Sequence, residues 1–235
     1  MKLFKPCLIL LALITLNCSF ALAQHTRSVS VKNFKGLSVS SGIDLFLTQG
    51  NTEGVSIQGS SDAIKDVIVE QNGDHVSVKY KSGINWSSLF RGQSIEVHVS
   101  YKTLERLAAS GGSDVYSKGQ MKVQSLSINA SGGADLKLNI ICRDLSLNIS
   151  GGADADLRGS AENLQISASG GSDINAFDFP ANYAKVAVSG GSDANIYVNK
   201  ILDGQASGGG DINYKGKATL KKANTSKSGD INHVR

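Results

Sequence analysis

Ser150-Gly151-Gly152-Ala153-Asp154, running on into Ala155-Asp156-Leu157, is the stretch that decides the fold. The phrase Ser-Gly-Gly-(Ser/Ala/Gly)-Asp recurs through the C-terminal half of the chain. Its aspartates are Asp114, Asp135, Asp154, Asp173, Asp193 and Asp211, and a degenerate seventh copy ends at Asp230. Successive aspartates are 21, 19, 19, 20, 18 and 19 residues apart. Self-similarity at one fixed period of this size marks a solenoid, each repeat forming one coil.

The flanks of the phrase show which kind. Before it, apolar residues alternate with polar ones: Leu126, Ile128, Ala130; Leu145, Leu147, Ile149; Leu164, Ile166, Ala168; Val186, Val188. After it, the residue following Asp is always apolar, from Val115 through Leu136, Ala155, Ile174, Ala194 and Ile212 to Ile231. The residue after that is mostly polar: Tyr116, Lys137, Asp156, Asn175, Asn195, Asn213, Asn232. A period of two means strands with one buried face. One repeat of this size cannot bury that face alone; stacked coils can, at ~4.8 Å per coil, so seven coils span ~34 Å. The expectation is an all-β parallel β-helix with Leu145, Leu147, Leu164, Ile166, Ile174, Val186, Val188 and Ile196 inside. The glycines serve a tight turn repeated in register. A second corner, marked by Gly119, Gly159, Gly216 and in one coil Pro180, is less regular, and a solenoid tolerates insertions at such an edge.

Residues 110–235 are therefore read as regular β-helix repeats. Residues 24–109 lack the Gly-Gly-Asp phrase but keep the alternation, as in Leu45/Leu47, Val76/Val78 and Val97/Val99. They are read as irregular coils of the same helix or as a cap over its end. Ser41-Gly42-Ile43-Asp44 looks like a diverged first copy. Residues 81–94 form the longest break in the pattern and are expected to be an exposed loop carrying Trp86, Phe90 and Arg91.

Composition narrows the classes. With 26 glycines but 2 prolines, 40% hydrophobic and 19% charged residues, the 235-residue chain is neither collagen-like, Pro-rich nor disordered. A net charge of +4 is too small for a nucleic-acid footprint. Lys2 and Lys5 precede an apolar run from Cys7 to Leu16, and Ala21-Leu22-Ala23 supplies the small residues a signal peptidase reads. Residues 1–23 are read as a secretory signal peptide cut before Gln24. The rival is lipidation at Cys18, for which Asn17 is a poor preceding residue. The run is too short for a membrane span, so the mature chain is expected to be exported without one, to the periplasm, the outer-membrane surface or the medium. Cys142 is then the single mature cysteine; it cannot form an internal disulfide and reads as a buried small hydrophobe.

Val31-Lys32-Asn33-Phe34-Lys35-Gly36-Leu37-Ser38-Val39-Ser40-Ser41-Gly42-Ile43-Asp44-Leu45-Phe46-Leu47-Thr48-Gln49-Gly50, followed by the series of Ser-Gly-Gly-Ser/Ala-Asp turns, resembles a bacterial family. It is the head GIN domain family of auto-transporter adhesin proteins common in Bacteroidetes. The resemblance covers residues 32–215. It implies a right-handed β-helix similar to pectin-lyase-like solenoids and an adhesin role. It supplies no catalytic residues.

Several constellations are candidates for function. Carboxylates stacked at ~4.8 Å repel by ~0.9 kcal/mol in water and ~3.5 kcal/mol at an effective dielectric near 20. The column Asp114, Asp135, Asp154, Asp173, Asp193, Asp211 must be offset, either by each Asp accepting backbone N–H bonds of its turn or by shared Ca²⁺. The first, structural reading is preferred, and no metal is assigned. Carboxylates at this spacing also match a retaining glycosidase, with Asp154 and Asp156 the local doublet, but a catalytic pair is two differently tuned groups and here one residue recurs at every turn. Asn175, Asn195, Asn213 and Asn232 should stack as an outward ladder, able to bind glycans. Trp86, Phe90 and Arg91 are of the types that anchor a partner or stack on a sugar. The histidines lack metal-ligand spacing, and no nucleophile elbow, phosphate loop or zinc motif is present, so no cofactor is expected. The reading is a non-catalytic exported binding or structural module for cell-surface adhesion or extracellular polysaccharide, or a surface protein partner. The alternative is a polysaccharide-acting enzyme on the same scaffold.

Overall fold

The computed structural model describes residues 25–83, 95–225 and 228–235. Its strands are β1 (His25–Val29), β2 (Gly36–Ser40), β3 (Asp44–Gln49), β4 (Gly54–Gly59), β5 (Val67–Asn72), β6 (His75–Tyr80), β7 (Glu96–Tyr101), β8 (Arg106–Ser110), β9 (Val115–Ser117), β10 (Met121–Ser131), β11 (Asp135–Gly151), β12 (Asp154–Gly170), β13 (Asp173–Gly190), β14 (Asp193–Ala206), β15 (Ile212–Lys215), β16 (Thr219–Thr225) and β17 (Ile231–His233). One short helix, α1 (Ala63–Asp66), precedes β5. No helix among the described residues is long and apolar enough to cross a membrane.

From β8 onward the strands stack in parallel, one coil on the next, as a β-solenoid. Register is set by burial, because a slip of one residue would turn every apolar side chain outward. Leu126, Leu145, Leu164, Ala184 and Leu202 form one interior column. Ile128, Leu147, Ile166 and Val186 form the next, and Leu136, Ala155, Ile174, Ala194 and Ile212 face them from beyond the turn. All of these are buried, as are Val188 and Ile196. β11, β12 and β13 run unbroken from one turn to the next. They round the second corner by a slip in alternation: Cys142 and Leu145 are both buried although three residues apart.

The motif's fourth residue is small because of where it points. Ser113, Ala134, Ala153, Ser172 and Ser192 are fully buried because this position points into the turn's interior. The Ser172 and Ser192 hydroxyls satisfy each other at 3.1 Å, and Ser113 Oγ accepts the Ile43 N–H at 3.2 Å. The first glycine is required by approach as well as angle. Gly170 has φ +92°, and a Cβ there would lie 2.7 Å from the carbonyl oxygen of Gly151 in the coil below.

The N-terminal part uses the same pattern in a different order. β2, the Ser41–Ile43 turn and β3 form a coil stacked on β8 and β9, with Leu37 beside Leu107 and Leu45 beside Val115. On its other side lie β6 and β7, with Val76 beside Leu37 and Val97 beside Leu45. The chain thus starts one coil inside the stack, travels outward, and returns past its first coil to β8. Three antiparallel pairings close this end: β5 on β6, β4 on β7 and β1 on β4. Phe34, Ile57, Ile95, Tyr101 and Leu104 fill the space beneath.

Candidate functional site

Two columns of outward side chains run the length of the face that follows the turns. The first holds the acids. Asp44 lies beside Glu96, Asp135 beside Asp154, and Asp173 beside Asp193. Asp114 stacks on the same edge through its neighbour Val115, which pairs with Leu45 and Leu136. The carboxylates bridge coils instead of closing their own turns: Asp173 N–H donates to Asp154 Oδ1 at 2.9 Å, Asp211 N–H to Asp193 Oδ1 at 3.1 Å, and Asp230 N–H to Asp211 Oδ1 at 3.0 Å. Each bond places a carboxylate on a backbone dipole of the next coil, which offsets part of the stacking repulsion. At two positions without such a bond the repulsion shows. Burial, with the charges of Asp114 and Asp154, pushes the Asp135 carboxyl above the usual range, and burial with Asp114 and Glu96 does the same to Asp44. Among the described residues no group of three or more His, Cys, Asp or Glu side chains is arranged to hold a metal ion.

The second column, two residues beyond, changes character along the axis. At the capped end His98, Phe46 and Tyr116 stack with ring centroids 4.9 and 5.2 Å apart, and Lys118 lies 4.2 Å over Phe46. Lys137 and Asp156 come next. Then follow the asparagines. Asn175 Nδ2 donates to Asp156 Oδ1 at 3.1 Å, Asn213 Nδ2 to Asn195 Oδ1 at 3.1 Å, and Asn232 Nδ2 to Asn213 Oδ1 at 3.4 Å. The structure thus brings Asn175, Asn195 and Asn213 onto one line.

Halfway along, the uniform face opens into a groove of about 540 Å³ lined by Ser117, Lys137, Asn139, Asp156, Arg158, Asn175 and Asp178. Its cause is an irregular second corner. Pairing of β12 with β13 skips between Asp156 and Ala161, and that of β13 with β14 between Ala176 and Pro180. The longer coil buries Phe179 and pushes Phe177-Asp178 outward as a wall, a typical effect of a bulge. Lys215 packs over the Phe177 ring at 4.5 Å. Arg158 is exposed and has no ion pair among the described residues. The groove is continuous with the acid strip, since both contain Lys137, Asp156 and Asn175.

The reading of residues 81–94 as an exposed loop, and with it Trp86, Phe90 and Arg91, lies outside the described residues over 84–94. Reasoning from the repeat missed Lys137, Arg158 and Asp178 as a cluster, and missed the aromatic stack. Phe46 was available in the sequence, because it stands two residues after Asp44 as Tyr116 does after Asp114. His98 has no turn phrase before it and carries no such signal.

Two further groups bear on chemistry. Cys142 is buried, and burial with the Asp144 charge pushes its thiol up to about 11, so it is not a ready nucleophile. Ser38 Oγ and His75 Nε2 are 2.9 Å apart. The neighbouring carboxylate, Asp74, is engaged by Arg106 at 2.8 Å and does not orient the ring.

A family model described as "Putative auto-transporter adhesin, head GIN domain" matches residues 33–218. The chain belongs to that family. No curated protein matches the chain. Among solved structures the head GIN chain is similar to a putative adhesin from Bacteroides fragilis NCTC 9343, with TM-score 0.81 and 21% identity, covering 90% of this chain and 97% of that one. A putative adhesin from Parabacteroides merdae ATCC 43184 gives TM-score 0.72 and 20% identity over 90% and 96%. A protein described as a putative lipid-binding protein from Parabacteroides distasonis ATCC 8503 gives 0.60 and 18% over 90% and 97%. At these identities the likeness is one of fold.

Proposed function

We propose that this head GIN chain is an exported, non-catalytic adhesion module that binds an extracellular polysaccharide on the face carrying the groove and the asparagine column. The carrying observation is the meeting of a mixed-charge groove with a line of side-chain amides one coil apart. Amide and guanidinium donors beside carboxylate acceptors suit a polymer whose hydroxyl groups, each able to donate and to accept, recur at regular intervals. Support for the adhesive character comes from the family. Support for a binding surface without catalysis comes from the acid column, which uses its oxygens on backbone N–H groups and repeats one residue where a hydrolase needs two unlike ones. Export is supported by the apolar leader at residues 7–16.

A glycan array probed with the chain from Gln24 onward tests the reading. One or more polysaccharides bind, and R158A/N175A weakens that binding about tenfold or more while S146A, on the opposite face, does not. Capture of a surface protein and no glycan would replace the polysaccharide by the protein partner. New reducing ends in the bound polymer would instead establish the enzyme reading.

A further inference from the structure

The solenoid is electrically polar along its axis. Residues 25–213 carry sixteen Lys and Arg against nineteen Asp and Glu; residues 214–235 carry six against one, Asp230. The structure places the described members of this excess in a thin layer. Lys215 ends β15, Lys217 follows at the second corner, and Lys221 lies on β16. β15 and β16 both stack on β14, so these three belong to a single coil. Arg235 follows β17, which stacks on β15. Four cations therefore sit within two coil layers, about 10 Å of the axis. Lys217 and Lys221 are exposed and unpaired with any carboxylate among the described residues. At the capped end three lysines have carboxylate partners instead: Lys65 with Asp62 at 3.2 Å, Lys79 with Glu70 at 2.9 Å, Lys81 with Asp66 at 3.5 Å.

We propose that this last coil docks end-on against an anionic lipid surface. The shape of the charge selects the partner. Cations in one layer across the axis match a plane of negative headgroups, whereas a linear polyanion would be matched by cations running along the axis. Along the axis runs the opposite sign, the column from Glu96 and Asp44 to Asp230. A negative surface laid against that side is repelled, so the rod stands on its basic end. The face proposed to bind polysaccharide is then held perpendicular to the surface, but the docking does not depend on what that face binds.

Co-sedimentation with vesicles tests the proposal. The chain from Gln24 onward is expected to partition onto vesicles of equal parts phosphatidylcholine and phosphatidylglycerol, to be released as salt rises, and to ignore phosphatidylcholine alone. K217Q/K221Q should retain the wild-type melting temperature and lose about 25-fold in partitioning, at about fivefold per lysine. K65Q/K81Q, at the other end, should bind as wild type. Vesicles should slow hydrogen exchange in β15 and β16 and leave β6 unaffected. Undiminished binding by K217Q/K221Q, equal loss in K65Q/K81Q, equal binding to both vesicles, or binding to a soluble anionic polysaccharide with none to vesicles would each overturn it.

Discussion

Residues 106–215 and residues 25–101 are written in the same alternating code, yet only the first folds in the order in which it is written. In the regular coils each strand pairs with the strand one repeat on, at a separation near 19 residues, as Leu145 does with Leu164. In the capped end Leu45 pairs with Val97 on one side and Val115 on the other, and Val55 pairs antiparallel with Val99. Alternation says that a residue faces inward. It does not say which strand lies beside it. In the coils the glycine turns supply that missing information, because each first glycine lies close against the glycine of the coil below, as Gly170 does on Gly151 and Gly190 on Gly170. In the cap nothing supplies it locally, and the order is fixed by which arrangement closes the end.

The largest expected effect separates the two regions by packing. Ile166 is 1% exposed at the centre of a column continued by Leu147 and Val186. Ile166→Ala leaves a void that stacked coils on both sides cannot collapse around, and should cost about 4 kcal/mol in denaturant unfolding. Ile57→Ala in the cap, also fully buried, sits at the centre of β4 between Arg27 of β1 and Val97 of β7. β1 is mostly exposed and can settle into the void, so a cost nearer 2 kcal/mol is expected. Equal losses would mean that the cap is as rigid as the coils.

A second variant tests whether the corner glycines specify the stack. Gly159 has φ +113°, and a Cβ there would sit 2.0 Å from the Ile140 carbonyl oxygen of the adjacent coil. Gly159→Ala should cost about 3 kcal/mol, as strain and as a forced separation of β11 from β12. Gly73, in the β5–β6 hairpin, also has positive φ but no atom within 4 Å of its would-be Cβ. Gly73→Ala should cost about 1 kcal/mol, the conformational penalty alone. A loss at Gly159 no larger than at Gly73 would show that the coils yield easily at that edge.

How much was legible follows from the same distinction. The period, the inward residues and the aspartate edge were all readable, because each coil states them again. The groove was not, since it arises where the repeat fails: Phe177-Asp178-Phe179-Pro180 lengthens one coil, and what the extra residues push outward depends on the coils above and below. Arg158 and Lys137 are unremarkable in sequence and meet only because β11 and β12 stack beside that bulge. The cap's order was unreadable for the reason given, although Ser41-Gly42-Ile43-Asp44 showed that a coil was there.

The smallest effect concerns charge, and it asks what the aspartate edge costs the regular coils. No oxygen of Asp135 accepts a backbone N–H of the next coil: the Asp154 N–H donates to the Ala134 carbonyl oxygen at 3.1 Å. Its carboxyl is pushed above the usual range by burial and by its two neighbours. A carboxyl whose folded-state pKa is raised holds its proton more tightly folded than unfolded. Ionisation therefore destabilises the fold, by an amount absent below the unfolded value of about 3.9, growing as pH rises through the folded value, and constant above it. Asp135→Asn removes that cost. It should raise the melting temperature slightly at pH 7 and leave it unchanged at pH 3. Asp154→Asn should gain less, because an amide oxygen is a weaker acceptor than a carboxylate for the Asp173 N–H. If the column only caps and repels, calcium and sodium at matched ionic strength should raise the wild-type melting temperature equally, by screening alone. A rise of several degrees specific to calcium, reduced in Asp135→Asn, would instead show the edge to be a cation site and reverse the sign of the argument.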